Sequence, residues 1–94
     1  MTEGEDDCGM SWKVYMVLCA DRTIYTGVTV DLEKRLKAHN EGRGAKYTAS
    51  RRPVQLCYEE SAETRGDAQR REAFIKRLPA AEKRRIAGLG EHTA

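Results

Sequence analysis

The stretch WKVYMVLC-ADR-TIYTGV, residues 12–28, decides the fold of this chain. Its two outer parts, residues 12–19 and 23–28, are rich in β-branched and aromatic side chains, which is typical of strands. The polar residues ADR at 20–22 separate them. The pattern predicts a β-hairpin closed by a three-residue loop.

The loop length determines which side chains share a face of the hairpin. Three loop residues pair Cys19 with Thr23, so that Tyr15 lies opposite Gly27. Because side chains alternate between the two faces of a strand, Tyr15 and Tyr25 then share one face. A two-residue loop would place them on opposite faces. The alternative to a shared site is a pair of ordinary strand aromatics, but a glycine opposite Tyr15 leaves open space that a substrate backbone could approach.

The next elements follow from caps and breaks in the sequence. Thr29 or Asp31 can cap a helix that runs to about Asn40. Residues 42–53 are polar, basic and contain glycine, which predicts a loop, and residues 54–61 predict a third strand.

Two further helices are predicted after the third strand. Thr64, with Asp67 three residues on, resembles a capping box for a helix that runs to about Leu78. Pro79 suits the start of another helix. The order ββαβαα predicts an α+β domain with a three-stranded, mainly antiparallel sheet and flanking helices.

Length and composition predict one small domain. A chain of 94 residues buries a modest core, and we expect a disordered acidic tail over residues 1–11, the domain over 12–88 and a second tail over 89–94. The longest apolar run, residues 14–20, is far shorter than the roughly 20 residues that span a bilayer. The acidic N-terminus lacks the features of a signal peptide. We therefore expect a cytoplasmic protein without membrane contacts.

The three cysteines have no C-x-x-C spacing. An odd number without that spacing argues against a disulfide framework and against a zinc site. Cys19 and Cys57 lie in the predicted strands, where we expect them to be small buried side chains.

Basic residues concentrate in the middle of the chain. Residues 31–87 hold fifteen Lys or Arg against nine Asp or Glu, an excess that suits a polyanionic partner. Charge alone is explained as well by a solvated surface. The loop residues Lys46, Tyr47, Arg51 and Arg52 could clamp a phosphate backbone or stack on an unpaired base. A solubilising loop is the alternative.

Arg35 and His39 form an i, i+4 pair close to the apolar stripe of Leu32 and Leu36 on the first helix. We expect the pair at the rim between core and solvent. The fork of Arg35 suits a phosphate, and His39 can donate to a phosphate oxygen or move a proton near neutral pH. The alternatives are a solvated ion pair of Arg35 with Asp31 and, for His39, a polar residue at a helix end.

Glu72 flanks the apolar stripe predicted for the second helix. That stripe comprises Ala68, Phe74, Ile75 and Leu78. A surface salt bridge with Lys76 is the ordinary role for such a glutamate. The alternative is a magnesium ligand, since Mg²⁺ often binds one or two carboxylates together with waters and substrate phosphate.

Five residues of the hairpin and the first two helices together resemble the active site of the GIY-YIG nuclease domain: Tyr15, Tyr25, Arg35, His39 and Glu72. V-Y-M and Y-T-G stand where that family has its two name-giving tripeptides. The resemblance covers residues 12–88, and the chain is similar in size to the small single-domain members. The first tripeptide lacks glycine and isoleucine, and Thr26 replaces isoleucine in the second, whereas both tyrosines and Gly27 are retained.

The resemblance implies a Mg²⁺- or Mn²⁺-dependent endonuclease that hydrolyses phosphodiester bonds, as in DNA repair, with DNA favoured over RNA. Tyr15 would activate the attacking water, with its pKa lowered by Arg35 or by metal-bound solvent. Glu72 would hold the metal, and Tyr25 and His39 would orient water and phosphate. A protein partner could supply targeting. Six further residues are expected to contact nucleic acid: Gly27, Lys46, Tyr47, Arg51, Arg52 and Lys76.

Two other functions stay open at this point. One is a non-catalytic nucleic-acid-binding module on the same fold, and the more remote one is a protein-interaction domain. The five site residues favour the enzyme, because binding alone needs neither paired phenols nor a metal-holding acid. Metal dependence separates the first two functions, and salt-dependent binding separates both from the third.

Overall fold

The computed structural model describes residues 11–89. The acidic tail predicted for residues 1–11 and the C-terminal tail predicted for 89–94 lie outside the described residues, apart from Ser11 and Leu89.

The predicted hairpin is confirmed in its loop length and register. Strand β1 (Trp12–Leu18) pairs antiparallel with β2 (Ile24–Thr29). The Cys19 amide donates to the Thr23 carbonyl over 2.8 Å. The Cα register places Tyr15 opposite Gly27.

The sheet has three strands in the order β2-β1-β3, and both pairings are antiparallel. The third strand, β3 (Gln55–Ala62), begins one residue later than predicted and ends one residue beyond the predicted limit at Ser61. A register shift between Met16 and Val17 interrupts its pairing with β1. The predicted α+β architecture is confirmed, and β2 lies at an edge of the sheet.

The helices begin where their caps predict. Helix α1 (Leu32–Asn40) starts after Asp31, whose carboxylate accepts from the Lys34 amide over 3.0 Å. Helix α3 (Arg65–Lys76) starts after Thr64, which accepts from the Asp67 amide.

The ends of the later helices correct two details of the sequence prediction. Helix α3 stops at Lys76 rather than Leu78. Pro79 precedes α4 (Ala80–Ile86), as predicted. The predicted loop over residues 42–53 contains a helical turn, α2 (Lys46–Ala49), which the sequence pattern did not indicate.

Two cores lie on opposite faces of β1. Val14 and Met16 pack on one face with Ala68 and Ile75 of α3. The other face carries Tyr15, Val17 and Cys19, against which Val54 and the α1 residues Leu32 and Leu36 pack. Alternation along β1 therefore separates an aliphatic face from the face that carries the tyrosines.

Phe74 departs from the predicted apolar stripe of α3, because its side chain is 51% exposed. Arg71 lies on the inner side of the helix instead, where its Nε donates to a carboxylate oxygen of Glu60 over 2.9 Å. This ion pair joins α3 to β3. The Arg71 guanidinium also lies 5.3 Å from the centroid of the Phe74 ring.

Over residues 11–89, no helix has the length and apolar character needed to cross a bilayer. Cys19 is buried and Cys57 half-buried, and both are free thiols.

Candidate active site

Tyr15 lies at the centre of the site with its side chain 1% exposed. Its phenol oxygen is 2.8 Å from Nε2 of His39. The tyrosine ring crosses Gly27, where an added Cβ would lie 2.6 Å from the phenol oxygen and 2.7 Å from Cζ. The expectation of open space at Gly27 was therefore wrong: the glycine is buried, and the room beside it is filled by the Tyr15 ring.

His39 is fully buried rather than at the rim where the sequence placed it. Its Nδ1 lies 2.7 Å from the hydroxyl of Thr48, which is also fully buried. The Thr48 hydroxyl donates to the Ala45 carbonyl over 3.2 Å. Since a hydroxyl has one proton, it accepts from Nδ1–H, and Nε2 accepts from the Tyr15 phenol. The hydrogen-bond network thus assigns the tautomer.

A tight contact between the chain and the imidazole explains this burial. A Cβ at Gly44 would lie 2.4 Å from Nδ1 of His39 and 2.8 Å from its Cα. The backbone at Gly44 therefore passes directly over the ring, and Thr48 of α2 closes the site from the same segment. Neither Gly44 nor Thr48 was predicted as a site residue. Glycine in a basic loop was the one available signal, and it does not indicate which ring the loop would cover.

Tyr25 lies beside the buried histidine. Its ring centroid is 5.4 Å from that of His39, and Tyr47 stacks on it at 5.8 Å with 27° between the ring planes. Lys76 Nζ lies 5.7 Å from the Tyr25 centroid, and the Arg51 guanidinium lies 3.9 Å from that of Tyr47. Cations therefore contact both aromatic rings of this stack.

Arg35 is half-buried on α1, next to the tyrosine and the histidine. Burial has the largest effect on the pKa values of Tyr15 and His39, and the Arg35 charge opposes the rise for Tyr15 and adds to the fall for His39. The alternative ion pair with Asp31 is not formed. The two residues are joined by a backbone hydrogen bond, in which the Arg35 amide donates to the Asp31 carbonyl over 3.0 Å. Within residues 11–89, the Arg35 guanidinium has no ion-pair partner.

Glu72 reaches the site from α3, with its side chain 21% exposed. The Lys76 ammonium lies 3.2 Å from one of its carboxylate oxygens, as the i, i+4 spacing predicts. Burial is the main reason that the pKa of Tyr15 is raised, and the negative charge of Glu72 adds a smaller contribution in the same direction.

Burial determines the protonation states of the central pair. Desolvation raises the pKa of Tyr15 far above that of a free phenol, the Tyr25 charge adds to the rise, and Arg35 opposes it without outweighing it. The charge of Arg35 therefore does not bring the Tyr15 pKa below that of a free phenol, although the sequence suggested that it could. Burial also lowers the pKa of His39, and Arg35 acts in the same direction. At neutral pH the phenol is protonated and the imidazole is neutral.

The donor set allows only a sparse metal site. Among residues 11–89, no cluster of three or more His, Cys, Asp or Glu side chains is present. Mg²⁺ binds to one or two carboxylates and completes its shell with waters and substrate phosphate. Glu72, with a partly exposed carboxylate, fits that mode.

The loop residues expected to contact nucleic acid differ in their surroundings. Lys46 and Tyr47 are exposed. Arg51 donates to the Asp21 carboxylate over 2.9 Å, and Arg52 donates to the Ala49 carbonyl over 2.8 Å. Arg51 thus joins the segment to the hairpin loop, whereas the Arg52 bond lies within the segment and Arg52 remains exposed.

Comparison with known proteins identifies the family. Residues 11–85 match the family model of the GIY-YIG catalytic domain. The chain belongs to this family. The GIY-YIG domain is of the nuclease type, which indicates a nucleic-acid substrate.

Three relatives show how close this GIY-YIG chain is to other members. A UPF0213 protein of Bacillus velezensis is 56% identical over 64 residues, which are 68% of this chain and 65% of that protein. A UPF0213 protein of Desulfotalea psychrophila is 45% identical over 82 residues, covering 86% of this chain and 74% of its own length. A solution NMR structure of a protein from E. faecalis has a TM-score of 0.58 at 40% identity, covering 89% of this chain and 93% of its own.

Proposed function

We propose that this GIY-YIG chain is a metal-dependent endonuclease that hydrolyses phosphodiester bonds in DNA, in branched or single-stranded substrates. Family membership supports the reaction class. The observation that carries the proposal is the buried Tyr15–His39–Thr48 hydrogen-bonded chain, which lies beside an Arg35 guanidinium without an ion-pair partner. A structural role alone does not require a buried phenol and imidazole in contact.

Arg35 binds the phosphate in this proposal. Its planar guanidinium can donate two parallel hydrogen bonds to non-bridging oxygens, and it stays charged at all relevant pH values. These bonds strengthen as negative charge builds on the phosphorus oxygens in the transition state. Tyr25, half-buried on β2, orients the bound phosphate or water with its hydroxyl.

Tyr15 and His39 move the proton. Because the Tyr15 phenol is protonated, it accepts a proton from the attacking water only as its own proton passes to Nε2 of His39. The neutral imidazole is ready to take that proton, and Thr48 holds the ring in the tautomer that leaves Nε2 free to accept. Thr48 is therefore a positioning residue.

Glu72 would hold a Mg²⁺ or Mn²⁺ ion, which would supply Lewis-acid stabilisation of the leaving oxygen when bound. The Lys76 ammonium now contacts the same carboxylate. That ion pair favours the second candidate function, a non-catalytic nucleic-acid-binding module, because a carboxylate held by lysine is less available to a metal.

Cleavage of labelled DNA by matched variants tests the proposal. Single-stranded, duplex and branched substrates, with RNA versions of each, are incubated with and without Mg²⁺. Arg35→Ala is compared with Lys37→Ala, an exposed cation on the same helix. Glu72→Gln is compared with Asp67→Asn, because both acids lie on α3 and pair with a base of that helix.

We expect Mg²⁺-dependent cleavage that Arg35→Ala and Glu72→Gln each reduce by about 100-fold or more, while the two controls cleave like the wild type. Salt-sensitive binding without cleavage under every metal condition would instead establish the binding module. Cleavage that survives Glu72→Gln would remove Glu72 from the site.

A further inference from the structure

Two basic clefts lie at opposite ends of the edge strand β2. The first cleft, of about 530 Å³, adjoins the end of β2 at Thr29 and is lined by three cations, Lys34, Arg35 and Arg43. The second cleft, of about 250 Å³, adjoins the start of β2 at Ile24. Its wall is completed by residues of α4 and α2: Ala80, Lys83, Arg84 and Tyr47.

Both clefts are lined in part by residues of the candidate active site. Arg35 lines the first cleft, and its charge acts on both Tyr15 and His39. Tyr47 lines the second cleft and stacks on Tyr25. The candidate active site therefore adjoins both clefts, and a strand that occupies both would pass over it.

The charges in both clefts suit phosphates. Lys34 and Lys83 have no ion-pair partner within residues 11–89. No carboxylate lines the second cleft, and Asp31 is the one acid in the first. Arg84 donates to the Arg22 carbonyl over 2.7 Å, which fixes α4 against the hairpin loop and holds the second cleft in place.

The separation of the clefts sets the length of strand that fits. The six residues of β2 span about 17 Å at a rise of about 3.4 Å per residue. That distance corresponds to about five base-pair steps along the axis of B-DNA, and an extended single strand crosses it in fewer steps because its phosphates lie farther apart.

Given the nuclease function proposed above, we propose that the two clefts bind the backbone phosphates on either side of the scissile bond, in one nucleic acid strand that runs along β2. The first cleft holds one flank through Lys34, beside which lies Arg43, paired with Glu41, and the second holds the other flank through Lys83 and Arg84. Helix α4 is thereby part of the substrate-binding surface.

Two matched pairs of charge changes test this footprint. Ala80→Glu places a negative charge in the second cleft, while Ala81→Glu places one on the next exposed residue of α4, outside it. Lys34→Glu and Lys37→Glu form the equivalent pair for the first cleft. Acidic residues are favourable in the first turn of a helix, so neither α4 variant should unfold it.

Binding of a fluorescein-labelled single-stranded DNA of twelve nucleotides is measured by anisotropy without divalent metal, so that no cleavage occurs. We expect Ala80→Glu and Lys34→Glu each to weaken binding by about tenfold, and each lost phosphate contact to reduce the salt slope by about 0.7. The two control variants should bind within about twofold of the wild type. The double variant should lose about 100-fold.

A strand of three nucleotides provides the geometric test. It is too short to reach both clefts, so the wild type and the two single variants should bind it within about threefold of one another. Equal binding of the twelve-nucleotide strand by Ala80→Glu and Ala81→Glu would overturn the second cleft. Lys83→Ala with Arg85→Ala as its control repeats that comparison if Ala80→Glu proves unstable.

The outcomes also separate this inference from the nuclease function. Cleft-specific losses of binding in a protein that cleaves nothing would support the footprint and overturn the enzyme. If the protein cleaves nucleic acid but the cleft variants bind as well as their controls, the nuclease function is supported and the two-cleft proposal is overturned.

Discussion

The two faces of β1 are built on different principles. On one face, Val14 and Met16 pack with Ala68 and Ile75 in a core of mainly apolar side chains. On the other face, alternate residues of the same strand lead to Tyr15, whose phenol begins a chain of hydrogen bonds that ends at the Ala45 carbonyl. One strand thus separates a face that stabilises the fold from a face that carries the chemistry.

The difference lies in how much each face constrains residue identity. Apolar packing depends on volume and shape, so that similar aliphatic side chains can replace one another at modest cost. A buried hydrogen-bonded chain requires donors and acceptors in sequence, because a single missing partner leaves a polar atom unsatisfied. Glycine is also required at Gly27 and Gly44, where the Tyr15 and His39 rings leave no room for a Cβ.

Truncation on the aliphatic face should give the largest loss of stability. Ile75 is fully buried, so Ile75→Ala should lower the free energy of unfolding by about 2–5 kcal/mol through lost burial and a residual cavity. Urea denaturation measures the loss. Phe74→Ala, at the neighbouring position, is the control. The Phe74 side chain is half in solvent, so this substitution should cost much less stability. Cleavage per folded molecule should be unchanged, and a proportionate loss of activity would show that the two faces are not independent.

Crowding on the polar face should cost less stability and more activity. In Gly44→Ala, the new Cβ meets both the ring and the Cα of His39, and the latter cannot move aside freely. We expect a loss of about 1–3 kcal/mol from overpacking, with cleavage abolished because His39 is displaced from Tyr15. The matched change Gly66→Ala lies in α3, where the nearest atom is 3.6 Å from the new Cβ, and should be neutral or slightly stabilising. Full activity in Gly44→Ala would refute the role given to the covered imidazole.

The same contrast explains how much of the fold could be predicted from the sequence. Caps, hairpin loops and strand alternation are local, and the three-residue loop, the hairpin register and the Asp31 and Thr64 caps each follow from a few adjacent residues. Phe74 was misplaced because neighbouring helix residues point about 100° apart, so Ile75 and Phe74 cannot both face one narrow core. The periodicity of apolar residues predicts which side of a helix faces the core, but not which residues lie at the boundary with solvent.

The site was predicted in part for a related reason. The hairpin register predicts that Tyr15 and Tyr25 share a face of the sheet. The helix spacing predicts that His39 lies near the apolar stripe of α1. The burial of His39 depends on a segment that folds back over it and places Thr48 nine residues away against Nδ1. Such a contact arises from the tertiary fold and leaves no local periodicity. The burial of Tyr15 beside this histidine raises the pKa of the phenol. A prediction of that pKa from the charge of Arg35 alone therefore had the wrong direction.

The pH dependence of stability should give the smallest effect, and it should arise on the polar face alone. Burial lowers the pKa of His39 below its ordinary value of 6.5, so the unfolded chain takes up a proton before the folded chain does. The stabilisation is complete above pH 6.5 and is lost as the pH falls below it, at no more than about 1.4 kcal/mol per pH unit. Urea denaturation between pH 7.5 and 5.5 should show this slope in the wild type and in Ile75→Ala. It should be absent in His39→Gln, whereas the lowered pKa values of Asp21 and Glu41 act at more acidic pH. An equal slope in His39→Gln would mean that another group titrates, and that the imidazole is not held neutral by the fold.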